Sequence, residues 1–236
     1  MTDTSSSSSS RSAPLFIGAA VACIFGFGYT LSLIFYQTPL AAGPLYFNQK
    51  IFYYHVPCAF MLFLAVIVCG IASIKYLRGR EQRWDDVSVA AAEISVVFGT
   101  IVMVTGVLWA KPAWGKWWVW DARLTSALLL WMTMIAYQLV RKYGGAGAER
   151  LASGLGVFAM VNIPLVYSST RLWKTNHPSA NTVPSLDPSM RAALWFSVLL
   201  FTVFFILLLR LRINARRDER RLYECREMAL DAGIFE

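Results

Sequence analysis

Six long apolar runs constrain this chain more than any other feature. They lie at about 15–36, 52–76, 87–109, 122–140, 151–168 and 191–210. A helix needs about 17–25 mostly apolar residues to cross the hydrocarbon core of a bilayer, and each run meets that length. In lipid, every backbone N–H and C=O must find a partner within protein, which selects helices or a closed barrel. Barrel strands alternate apolar and polar residues, and these runs do not. The expectation is therefore an all-α integral membrane protein with six transmembrane helices. Composition agrees: 57% of the 236 residues are hydrophobic and 15% are charged, too little polar surface for a soluble domain.

The net charge of +8 raises the question of nucleic acid. The basic residues sit between and after the apolar runs, so lipid headgroups are their expected partners and no nucleic acid is. Placing the N-terminus inside puts fifteen Lys and Arg residues on inner segments and seven on outer ones. The positive-inside rule then selects N-in and C-in, which an even number of spans requires. The chain divides into a serine-rich start (1–14) expected to be disordered, a six-helix domain (15–210) and a basic cytoplasmic tail (211–236). The first apolar run lacks a cleavable-signal pattern and is long enough to span. The four cysteines form no C-x-x-C or C-x-x-C-H, so thiol-redox and c-type cytochrome readings lack their motif.

The outer segments are the unusual ones. W-G-K-W-W-V-W-D, residues 114–121, packs four tryptophans into seven positions before an aspartate. Read as helix, Trp114, Trp117 and Trp118 share one face, with Trp120 beside Trp117. The expectation is a short interfacial helix with its indoles toward apolar material. An aromatic belt is the plain alternative, but belt tryptophans are usually scattered. Asp121 either N-caps the fourth span or serves the site, and both roles are compatible.

The chain has two histidines. His55 stands in I-F-Y-Y-H-V-P, at the outer end of the second span. His177 lies in the outer loop before the sixth. Neutral imidazole is a common metal ligand. Zinc would want three or four ligands, and a tryptophan cluster suits a small hard ion poorly. A haem explains more: iron accepts two axial histidines, and the macrocycle offers a flat apolar face. Its propionates need cations, and Arg123, Arg171, Lys174 and Lys116 lie on the same side. No G-x-x-x-x-G-K-[ST] is present, so ATP use would fall to a partner. Glu93, inside the third span, is either a functional carboxylate or a structural one. Asn162 and Pro164 are read as a kink with local backbone repair.

The segments I-F-Y-Y-H-V-P, G-V-L-W-A-K-P-A-W-G, W-G-K-W-W-V-W-D-A-R-L-T-S and the T-N-H loop resemble the WWD family of haem-handling membrane proteins. Six spans and one WWD segment are most similar to its CcmC branch. The resemblance covers most of residues 15–210, although Leu172 stands where relatives often carry a tryptophan. It implies a non-enzymatic protein of the bacterial inner membrane with a haem site on the periplasmic side. His55 and His177 would be axial ligands of a transiently held ferric haem b. Trp114, Trp117, Trp118, Trp120 and Asp121 would contact haem and the haem chaperone CcmE. The small protein CcmD and the ATP-binding-cassette pair CcmA and CcmB are the other implied partners. Two further readings remain: a bis-histidine membrane cytochrome b for electron transfer, and a haem permease.

Overall fold

The structure is a computed structural model that describes residues 6–40, 43–178 and 180–233. Six helices long and apolar enough to cross a membrane form it: α1 (Ser6–Ser32), α2 (Phe52–Gly79), α3 (Gln82–Trp114), α4 (Ala122–Tyr143), α5 (Ala148–Leu172) and α6 (Pro188–Asp231). No strand occurs among the described residues. The protein is thus a multi-pass helical membrane protein, as the apolar runs require.

Three details of the helices go beyond the sequence reading. Helix α1 begins at Ser6, inside the serine tract expected to be disordered, and residues 1–5 fall outside the described set. A helix already nucleated by the apolar run extends backward at little cost. At the other end, residues 211–231, the basic segment, continue α6 as helix. At about 1.5 Å per residue, this 44-residue helix is roughly 66 Å long, about twice the hydrocarbon thickness. Helix α5 continues through Pro164, and the Asn162 side chain donates to Ser126 O of α4 at 3.2 Å.

Helix α2 is central and packs against α3, α5 and α6. Small buried residues let the backbones approach: Ala65 and Ala72 on α2, Ala91 and Ala92 on α3, Ala152 and Ala159 on α5. Between them Phe98, Phe201, Phe205, Leu130 and Met134 fill the core. Ion pairs gather at the end where α3 begins. Asp86, 3% exposed, takes both oxygens to Arg220 of α6 at 2.7 and 2.6 Å. Buried Asp85 accepts from Arg141 of α4 at 2.7 Å. Glu93 pairs with Arg212 of α6, so this intramembrane carboxylate is neutralised within the bundle.

The opposite end is shaped by irregular backbone. A π-turn, Leu33–Gln37, closes α1, and a 3₁₀ stretch, Gly43–Ile51, leads into α2. The last carbonyls of a helix have no helical partners. The buried Lys50 ammonium supplies them, donating to Ile34 O and Thr38 O at 2.7 Å each. This tie holds the 43–51 stretch against the bundle, where it becomes one wall of a cavity.

Candidate functional site

Both histidines and the tryptophan segment come to this end of the bundle. His55 sits on the first turn of α2, beside buried Tyr53, Pro57 and Cys58. His177 rides on the irregular segment between α5 and α6. Their ring centres are 6.5 Å apart, tilted by 40°. Two imidazole nitrogens about 2 Å from one ion, on opposite sides, put ring centres roughly 6–6.5 Å apart.

The hydrogen bonds select a tautomer for each ring. Thr105 Oγ1 gives its one proton to Ile101 O at 2.6 Å, so it accepts from His55 Nδ1 at 2.9 Å. His177 Nδ1 contacts Pro178 O at 2.8 Å, and a carbonyl can only accept. Both rings therefore carry the proton on Nδ1 and keep the Nε2 lone pair for a ligand. Burial, then the neighbouring Arg123 charge, hold His177 below the ordinary histidine value of 6.5, partly offset by Pro178 O and Asp121. It is a neutral base at pH 7. Gly106 gives His55 room, since a Cβ there would lie 3.2 Å from its Cε1.

The imidazoles open into a cavity of about 400 Å³, within the size range of ligand pockets. Trp109, Trp114, Trp117 and Trp118 line it, and so do Arg123 and Arg171. It deepens along α2 to Phe63 and along α4 to Leu130, where every wall is apolar. Trp118 Nε1 is buried with no hydrogen-bond partner, an orphaned donor in the lining. Arg123 Nη1 donates to Val166 O of α5, which fixes it at the cavity wall. Arg171 lies over the Tyr167 ring at 5.4 Å.

The tryptophan segment does not form the expected short helix. Trp114 ends α3, and Gly115 takes a left-handed φ of 73° while its N–H returns to Lys111 O. Asp121 then N-caps α4, its side chain accepting from Leu124 N at 2.8 Å. Residues 115–121 are a link stretched between a C-cap and an N-cap, which leaves no hydrogen bonds for a helix of their own. The indoles pair edge to face instead: Trp109 with Trp114 and Trp118 with Trp120, each at 5.6 Å. Trp120 is 76% exposed and lies outside the cavity. Asp121 also stands outside the cavity lining; its second oxygen accepts from Thr175.

Sequence reasoning missed Thr105, Gly106, Trp109 and Thr175. Gly106, Trp109 and Thr175 lie within segments that carry the resemblance, but the resemblance assigns none of them a role, because each matters only through a neighbour brought close by folding.

Fold and cavity define a class: a multi-pass helical membrane protein with an indole-lined apolar pocket, two imidazoles 6.5 Å apart and two arginines in its lining. A family model described as CcmC, Heme exporter protein C, matches residues 2–228. The chain belongs to the CcmC family. It is 33% identical over 195 residues to Heme exporter protein C of Escherichia coli K12, covering 79% of this chain and 78% of that one. It is 33% identical over 199 residues to Heme exporter protein C of Bradyrhizobium diazoefficiens, covering 80% and 74%. A putative cytochrome c biosynthesis ccmC-like mitochondrial protein of Marchantia polymorpha is 32% identical over 161 residues, 68% of each chain.

Proposed function

We propose that this protein holds ferric haem b as cargo and hands it to a haem chaperone, CcmE, during cytochrome c maturation. His55 and His177 are the axial ligands, each through Nε2. Trp114, Trp117 and Trp118 cover the macrocycle, and Arg123 and Arg171 take the propionates, for which the guanidinium fork is suited. The site faces the periplasm from the bacterial inner membrane, with both termini in the cytoplasm. CcmD and the CcmA–CcmB transporter pair are the expected partners.

One observation carries this reading. Two imidazoles stand 6.5 Å apart, and both ring Nδ1 atoms are already engaged. Ligating histidines are held this way, with the far nitrogen tied to protein. A bis-histidine cytochrome would favour ligands fixed on helices deep in the bundle, whereas His177 is on a connecting segment. Glu93, the residue that suggested a permease path, is occupied by Arg212.

The test is the haem spectrum of purified wild type, His55→Ala and His177→Ala, with transfer to CcmE followed in parallel. The expected result is loss of the six-coordinate low-spin signature in each variant. Unchanged spectra in both would refute axial ligation.

A further inference from the structure

The two imidazoles are mounted very differently. His55 is part of α2, with buried neighbours on its own helix. His177 belongs to a segment whose Trp173, Lys174, Asn176 and Pro178 are all exposed. Between Lys174 and Pro178, one polar tie joins that segment to the bundle among the described residues; its next is Pro184 O, which accepts from Arg191 of α6 at 3.2 Å. Thr175 Oγ1 donates to Asp121 Oδ2, and His177 N–H donates back to Thr175 Oγ1 at 3.1 Å. A hydroxyl has one proton to give and lone pairs to accept, so Thr175 fills both roles at once. Asp121 is itself fixed by capping α4, through Leu124 N at 2.8 Å and Thr125 N at 3.0 Å.

We propose that His177 is the exchangeable ligand of the site, and that Thr175, clasped to Asp121, is the positioning residue that holds it in place. The inference rests on the haem reading above and adds an order of events. The stretch 174–178, mostly exposed and held by one clasp, opens at lower free energy than a helix packed in the core. His177 therefore leaves first, and the cargo stays on His55 with its other side open. The iron–nitrogen bond breaks with the electron pair remaining on His177. A lone-pair donor on the acceptor protein takes the freed position, so the step is a ligand exchange in which no electron changes hands. The clasp sets how often the site opens, and segment motion gates release.

The experiment uses the full chain in detergent and compares wild type, Thr175→Val and Thr175→Ser. Haem-free protein is read first, by amide hydrogen exchange. Thr175→Val is expected to exchange roughly tenfold faster at His177, the loss of a charge-assisted clasp, while α2 around His55 is unchanged. Thr175→Ser keeps the hydroxyl and restores protection. Haem-loaded Thr175→Val should remain pink but shift toward a five-coordinate high-spin spectrum and bind added imidazole faster. In the ligand variants, His177→Ala should retain haem that accepts imidazole, whereas His55→Ala should lose it. Wild-type exchange and spectrum in Thr175→Val would overturn the clasp. Loss of haem from His177→Ala with retention by His55→Ala would overturn the order. If neither histidine variant alters the spectrum, the haem reading itself fails, and that outcome is separate from both.

Discussion

Replacing Thr105 with valine tests how the site chooses its ligand atom. Valine keeps the β-branched shape in the middle of α3 and removes one oxygen. In the native arrangement that oxygen accepts the Nδ1 proton of His55 at 2.9 Å, its own proton being spent on Ile101 O. Without it, His55 either leaves Nδ1–H unpaired or moves the proton to Nε2, where it blocks the metal. A net hydrogen bond is worth about 0.5–1.5 kcal/mol. Loss of a partner behind a ligating histidine typically costs 10–100-fold in metal affinity, and tenfold corresponds to about 1.4 kcal/mol. The expected outcome is therefore about tenfold weaker haem binding in Thr105→Val, measured by Soret titration of the apo-protein. Thr105→Ser should bind as wild type does. If Thr105→Val keeps wild-type affinity while His55→Ala does not, Thr105 does not set the tautomer and the reasoning is wrong.

Three further outcomes follow from the geometry. Trp118→Ala should weaken haem binding because it removes an indole from the cavity wall, whereas Trp120→Ala should leave binding intact. The latter should instead slow transfer to CcmE by about tenfold, the scale of an exposed aromatic anchor, in a stopped-flow handover assay. Arg220→Ala strands a carboxylate that is 3% exposed, while Asp86→Ala frees a guanidinium that is 31% exposed. The first should cost about 2–3 kcal/mol and the second clearly less, read by unfolding in mixed micelles; equal losses would refute this asymmetry. His177 has its proton affinity held below that of a free histidine, so folded protein takes up the proton only at pH below 6.5. Haem affinity should stay flat from pH 8 to about 6.5 and fall below it as the proton competes with iron. Folding stability should decline over the same acid range, because the unfolded chain binds the proton first.

Much of the fold is legible in the sequence because lipid leaves few choices. A run of about 20 apolar residues has to become a helix, and its ends are marked by the residues that cannot stay in hydrocarbon. The link at residues 115–121 shows where local reasoning stops. Its i, i+3 spacing suits a helix, yet Gly115 ends one helix and Asp121 begins the next. Two caps six residues apart leave no turn between them to form. Glu93 shows the same limit, since a carboxylate inside a span reads alike whether it awaits a substrate or an arginine 119 residues away.

The sequence by itself determined a six-helix membrane protein, a tryptophan-dense segment and the positions of two histidines near the ends of spans, because hydropathy and residue type are local quantities. Only the tertiary structure decided that the imidazoles stand 6.5 Å apart and that Trp120 turns out of the cavity. It also decided that Asp121 holds His177 through Thr175. These are contacts between residues some 50 to 120 positions apart. Side-chain packing of the helices sets them, and no period or motif along the chain encodes that packing.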